Sequence, residues 1–140
     1  MIKQLSIFVE NKVGSLAKVT TALKEQQINL RAISSFDTPD FTIMRIVVDK
    51  PDLAKEVLVK QGFAVKVSYA VAVELEDKPG ELDRMLQVLA KENQDISYIY
   101  SFVLRGGMAP LIVFNTQDSS STERILRENG FLVTGQEDLR

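Results

Sequence analysis

The sequence predicts an α+β protein of two tandem βαββαβ units with antiparallel sheets. Three observations predict it: a self-match at one offset, strand and helix periods that recur in the same order in each half, and a glycine loop at the same place in each copy. Displaced by 66 residues, Glu10-Asn11-Lys12-Val13-Gly14-Ser15-Leu16 falls on Glu76-Asp77-Lys78-Pro79-Gly80-Glu81-Leu82. Leu23 meets Leu89, and Ile33, Ser35 and Phe36 meet Ile99, Ser101 and Phe102. Asp49 meets Asn115 without a gap, whereas Gly62-Phe63 meets Gly130-Phe131 at an offset of 68. The second copy therefore carries two extra residues near 118–121. A repeat of this length sets the architecture before any single element is assigned.

Leu5, Ile7 and Val9 alternate with Ser6, Phe8 and Glu10, the period of a strand. Gly14 breaks that alternation, and Leu16, Val19, Thr20 and Leu23 then lie at helical spacing over residues 14–26. Residues 28–36 form a β-branched, apolar run that ends in the turn cluster Asp37-Thr38-Pro39-Asp40. Residues 41–48 make the third strand. Pro51 suits the first position of a helix, Leu53, Ala54, Val57 and Leu58 form its buried stripe, and Gly62 ends it. Residues 63–67 make the fourth strand. In the second copy Val71, Val73 and Leu75 alternate, and Leu82, Met85, Leu86 and Leu89 mark a helix. Residues 96–104 and 110–114 flank a Gly106-Gly107 turn. Ser120 and Glu123 fit a capping box for the last helix, which Asn129-Gly130 ends before a short strand over 131–134. This order is the ferredoxin-like pattern, with both helices on one face of the sheet. Residues 63–76 read as nearly continuous extended chain, so the expected domains, 1–69 and 70–140, meet near Tyr69 without a linker. At about 70 residues each, such halves are marginal alone.

The chain has 140 residues, 45% hydrophobic and 26% charged, the balance of a globular protein. A net charge of −2 gives no broad attraction for nucleic acid or anionic lipid. Cysteine and histidine are both absent, which removes thiol nucleophiles, thiolate metal sites and imidazole acid–base chemistry. No calcium-loop pattern appears, so no metal or cofactor is expected. The first residues lead straight into a strand; neither a signal peptide nor a membrane span is read, and a cytoplasmic location is expected.

The loop after the first strand of each copy is the most informative segment. It reads Asn11-Lys12-Val13-Gly14 in one and Asp77-Lys78-Pro79-Gly80 in the other, each followed by a helix. A helix start offers unpaired N–H groups and partial positive charge, where a carboxylate docks. Glycine leaves room for close approach to the backbone, and Asn11 or Asp77 accepts hydrogen bonds from an ammonium group. Together these features match the two ends of a free amino acid. The plainer reading is that glycine permits the turn and Asn11 or Asp77 caps the helix.

With these loops, and with Gln27-Ile28-Asn29-Leu30 opening the second strand, the chain resembles the ACT domain family once per half. In that family the glycine loop and the start of strand two bind amino-acid effectors at an interface between paired domains. The resemblance implies ligand-binding positions at Asn11, Val13 and Gly14, extended to Ser15 and Leu16, with Asn29. In copy two they are Asp77, Pro79 and Gly80, extended to Glu81 and Leu82, with Asp95. Val13 stands where the family commonly has the proline that Pro79 keeps. The charges of Asp77 and Asp95, where copy one has Asn11 and Asn29, predict copy two as the tighter site.

Other features weigh less. Tyr98 and Tyr100 share a strand face, as a pocket wall or as packing. Ser34, Ser35 and Ser101 are potential contacts or solvent-facing residues. Glu74 and Glu76 read as a solvated face, Lys12 and Lys78 as surface charge, and Arg45 as the solvent side of the sheet or a dimer contact.

Two function classes follow. One is a non-catalytic regulatory protein whose free amino-acid effector shifts an interface or partner equilibrium. The regulated metabolic enzyme is then a separate chain, because the repeats use all of this one. The other is a structural dimerisation module without a ligand. Phe8, opposite Leu5, Ile7 and Val9, makes the open sheet face adhesive and predicts a homodimer under either class.

Overall fold

A computed structural model describes residues 1–103 and 109–139. In chain order the elements are β1 (Ile2–Glu10), α1 (Ser15–Glu25), β2 (Leu30–Asp37), β3 (Phe41–Val48), α2 (Pro51–Lys60), β4 (Ala64–Glu74), α3 (Glu81–Lys91), β5 (Ile96–Val103), β6 (Pro110–Thr116), α4 (Ser119–Glu128) and β7 (Leu132–Val133), then a 3-10 turn, Gln136–Leu139. The expected Gly106-Gly107 turn and Leu104 lie outside the described residues. The chain divides into two compact units, Lys3–Ser68 and Met1–Ile2 with Tyr69–Arg140. β4 runs through Ser68 and Tyr69 as one strand.

In the first unit the strand order is β2-β3-β1-β4. β1 and β2 both pair antiparallel with β3. Leu5, Ile7 and Val9 of β1 and Met44, Ile46 and Val48 of β3 face α1 and α2. There they meet Val19, Ala22, Leu23, Ala54 and Leu58 in one buried core. Period two then puts Phe8 on the opposite face. It sits directly across from Ile43, which in turn faces Phe36 on β2. Phe8 and Phe36 are 38% and 43% exposed. Phe41 lies 5.9 Å from Phe8 between ring centroids, and the Arg45 guanidinium lies 5.0 Å over Phe36.

The second unit has the same order within its copy: β7 and β6 flank β4, and β5 pairs with β6. Val71, Val73, Leu75, Met85, Leu89, Ile112, Phe114, Leu126 and Phe131 form its core under α3 and α4. Where copy one has apolar Ile28 and Ala54, copy two has Gln94 and Thr122. The Thr122 hydroxyl donates to Gln94 Oε1 at 2.6 Å and lies 2.7 Å from Thr116 Oγ1.

The expected capping box does not form. Asp118 is the N-cap of α4 and accepts the Ser121 N–H at 3.1 Å, which leaves Ser120 inside the helix. Glu123 instead accepts from the Met1 amino group at 2.8 Å and is nearly buried. The two inserted residues let Asp118 reach the cap position first, and aspartate caps at least as well as serine.

Candidate functional site

Both glycine loops fold alike, because the same bonds recur at the same offset. The Lys12 N–H donates to Glu10 O at 2.9 Å and the Ser15 N–H to Lys12 O at 3.2 Å. The Lys78 N–H donates to Glu76 O at 2.9 Å and the Glu81 N–H to Lys78 O at 3.4 Å. Each turn ends on a left-handed glycine, Gly14 at φ 85° and Gly80 at φ 91°, which is also the N-cap residue. Glycine enters this region without the steric penalty of a Cβ. A Cβ built at either position meets nothing within 4 Å, so the space in front of the backbone is open.

Neither helix has a side-chain cap. The reading of Asn11 or Asp77 as a cap is therefore corrected; the glycine takes the N-cap place and has no side chain to offer. Among the described residues, no protein acceptor meets the N–H groups of Leu16 and Ala17, or of Leu82 and Asp83. These are the orphan donors of a helix start.

Lys12 and Lys78 are more than scattered surface charge. Lys12 Nζ lies 2.8 Å from Glu10 and Lys78 Nζ 2.9 Å from Glu76, one ion pair beside each loop. The Lys12 hydrogen bond, aided by its charge, holds the Glu10 carboxyl below its ordinary value; Lys78 does the same for Glu76. Glu76 in turn raises the Lys78 ammonium. A carboxylate that stays ionised thus stands beside each helix start.

Asn11, Val13, Leu16, Asp77, Pro79 and Leu82 are exposed around these loops, whereas Ser15 is buried and Glu81 half-buried. Asn29 and Asp95 are exposed but stand elsewhere. Each follows the C-terminal end of the helix whose N-terminus the loop opens. Eleven helical residues span about 16 Å. Within one copy the two motif positions are too far apart to hold the same amino acid. Asn29 also exchanges hydrogen bonds with Asp49: its N–H donates to Asp49 Oδ1 at 2.9 Å and its carbonyl accepts the Asp49 N–H at 3.2 Å. Tyr98 and Tyr100 do share a face, with ring centroids 6.3 Å apart.

An open groove of about 370 Å³ adjoins the first loop, between Gly14, Ala17, Lys18 and Thr21 on one side and Gln61 and Phe63 on the other. A smaller one of about 80 Å³, bordered by Glu10, Lys12, Ser15, Lys18 and Phe63, lies beside the same loop. Lys18 and Phe63 were not singled out from the sequence. The repeat alignment held a signal for them, since Lys18 aligns with Arg84 and Phe63 with Phe131. In copy two the Arg84 guanidinium lies 4.0 Å over the Phe131 ring, 3.4 Å from Glu81.

Among the described residues, no group of His, Cys, Asp and Glu is placed to hold a metal ion, and no helix is long and apolar enough to cross a membrane.

A family described as an ACT domain pair matches residues 1–140. The chain is similar in structure to protein BT0572 from Bacteroides thetaiotaomicron, at 34% identity and a TM-score of 0.92, over 99% of this chain and 94% of that one. It is also similar to the ligand-free regulatory subunit of aspartate kinase from Thermus thermophilus, at 18% identity and a TM-score of 0.65, over 91% and 92% of the two chains. The corresponding subunit from Thermus flavus gives 18%, 0.58, and 90% of each chain. No match was found among curated proteins.

Proposed function

The chain belongs to the ACT domain family as an ACT domain pair, and from that premise we propose that it is a non-catalytic, cytoplasmic regulatory protein whose effector is a free amino acid. The observation that carries this reading is the loop built twice: a left-handed glycine with open space before it, two unpaired N–H groups and an ionised carboxylate alongside. Those groups answer a carboxylate and an ammonium on one small molecule. Gly14 with Asn11, Val13, Ser15 and Leu16, and Gly80 with Asp77, Pro79, Glu81 and Leu82, are the loop contacts. Asn29 and Asp95 complete a site only when the start of strand two comes from another domain, since each lies a helix length from its own loop. A protein of the same fold and similar extent is the regulatory subunit of aspartate kinase in Thermus thermophilus. By analogy, the regulated partner of this chain is a separate metabolic enzyme.

A thermal-shift screen of the twenty amino acids tests the reading. A selective effector at a hundred times its Kd adds about 2.7 kcal/mol, a rise of roughly 10 °C or more in Tm for domains of this size. If no amino acid moves the Tm of the folded chain, the ligand-free dimerisation module replaces this proposal.

The same reading includes a homodimer. The row Phe8, Ile43 and Phe36 with Phe41 beside it is a partly exposed apolar patch on the face opposite α1 and α2, and such patches mark association sites. Ile33 and Ile99, at equivalent positions of the outer strands β2 and β5, are exposed as well. Sedimentation velocity at micromolar concentration is expected to give the mass of two chains. Phe36→Glu, which leaves the core intact, is expected to weaken association at least tenfold. A wild-type protein that stays monomeric removes the dimer.

A further inference from the structure

We infer that the effector is an apolar amino acid and that it binds in the first copy alone, in the groove between α1 and Phe63. The inference rests on the amino-acid reading above and adds to it a side-chain class and a stoichiometry.

The two copies differ at this groove. In copy two, the Arg84 guanidinium lies 4.0 Å over the Phe131 ring, which is only 5% exposed, and is also paired with Glu81 at 3.4 Å. A planar cation over a ring is held by the ring's quadrupole, and arginine stacks where lysine does not. The position is filled by the protein's own side chain. In copy one the aligned pair is Lys18 and Phe63. The Lys18 side chain forms no salt bridge or hydrogen bond among the described residues, and Phe63 stays half-buried beside the open groove. Ser15 replaces the paired Glu81.

What remains open has a defined chemistry. The groove, at about 370 Å³, falls within the roughly 300–1,000 Å³ typical of small-molecule sites. Lys18 borders both it and the smaller pocket, so an anionic group between the two meets an ammonium. Glu10, held ionised by Lys12, borders the smaller pocket and accepts from an amino group. Beyond Lys18 the lining is mixed: Ala17, Ala22 and Phe63 are apolar, Thr21 and Gln61 are polar, and Glu25 carries a negative charge. A zwitterion held at Lys18 and Glu10 lays a branched or aromatic side chain on Phe63. An acidic side chain would instead bring its charge against Glu25 and the ring.

Calorimetry on the full chain tests this with leucine, isoleucine, valine and phenylalanine, with aspartate as a control and with lysine, whose ammonium Glu25 would answer; tighter binding of lysine than of all four apolar amino acids overturns the side-chain class. The wild type is expected to bind one apolar amino acid per chain. Lys18→Arg keeps the charge but lays a guanidinium on Phe63 as Arg84 does on Phe131, and is expected to weaken binding at least tenfold. Arg84→Lys is expected to uncover Phe131 and raise the stoichiometry to two per chain. Both positions are on exposed helix surface, so the variants should fold; circular dichroism checks this. Two equivalents bound by the wild type, or unchanged affinity in Lys18→Arg, overturns the inference and leaves the effector reading standing. Binding of none of the twenty amino acids removes that reading, and this one with it.

Discussion

Alanine at Phe114 is expected to cost about 3–5 kcal/mol, the usual range for emptying a buried aromatic site. Among the described residues Phe114 is the largest fully buried side chain, placed on β6 opposite Val71 and packed in the core with Met85, Leu89 and Leu126. A unit of about 70 residues has a total stability of roughly 4–10 kcal/mol, so this one deletion removes a large part of it. The aligned residue in copy one is Val48, also fully buried. Val48→Ala removes only two methyl-sized groups and is expected to cost about 2 kcal/mol. Urea denaturation followed by circular dichroism measures both. A Phe114→Ala unfolding free energy within about 1 kcal/mol of wild type would show that the second core does not depend on that ring. The paired variants also ask whether the two copies, alike in backbone, reach their stability through cores of different volume.

The backbone was the most legible layer. Residues 41–48 form β3 with the expected bounds; one face of that strand is core, and a slip of one residue would expose it. α2 begins on Pro51, where the ring's fixed φ and missing N–H suit a first turn. β2 begins at Leu30 rather than Ile28. Asn29 is taken up by its exchange with Asp49, and Ile28 sits in the core as the chain leaves α1. Side-chain pairing was less legible. The cap of α4 went to Asp118 because the inserted residues shifted which side chain reaches the first turn. The stacking of Arg84 on Phe131 joins positions far apart in sequence and in different alignment registers, so no local pattern announces it. The glycine loops were legible as motifs. Their separation from Asn29 and Asp95 follows once the helix between them has a length, and it divides the family's effector motif between two ends of each copy.

Substitution of Gly14 and Gly80 separates a conformational role from a binding one. At φ 85° and 91° an L-residue carries a penalty of about 1–2 kcal/mol, and valine, being β-branched, more. Beyond the two chain neighbours nothing lies within 4 Å of the added Cβ, so the stability loss comes from backbone strain rather than from a clash. Asparagine visits this region with less strain than alanine or valine, yet it fills the same space. If the glycine only permits the turn, Gly→Asn keeps affinity and stability together. If the ligand approaches the backbone there, Gly→Asn keeps most of the stability while affinity falls at least tenfold. Asp77→Ala is free of the complication a cap would bring, since α3 has no side-chain cap to lose. Calorimetry beside thermal melts on Gly14→Asn, Gly80→Asn and Asp77→Ala then locates the site. Loss confined to Gly14→Asn agrees with the open groove at Lys18 and Phe63. Loss confined to the two copy-two variants would restore the order predicted from the charges of Asp77 and Asp95, and would mean that Arg84 moves off Phe131 to admit the ligand. Unchanged affinity in all three, with each variant folded, would remove both loops from the site.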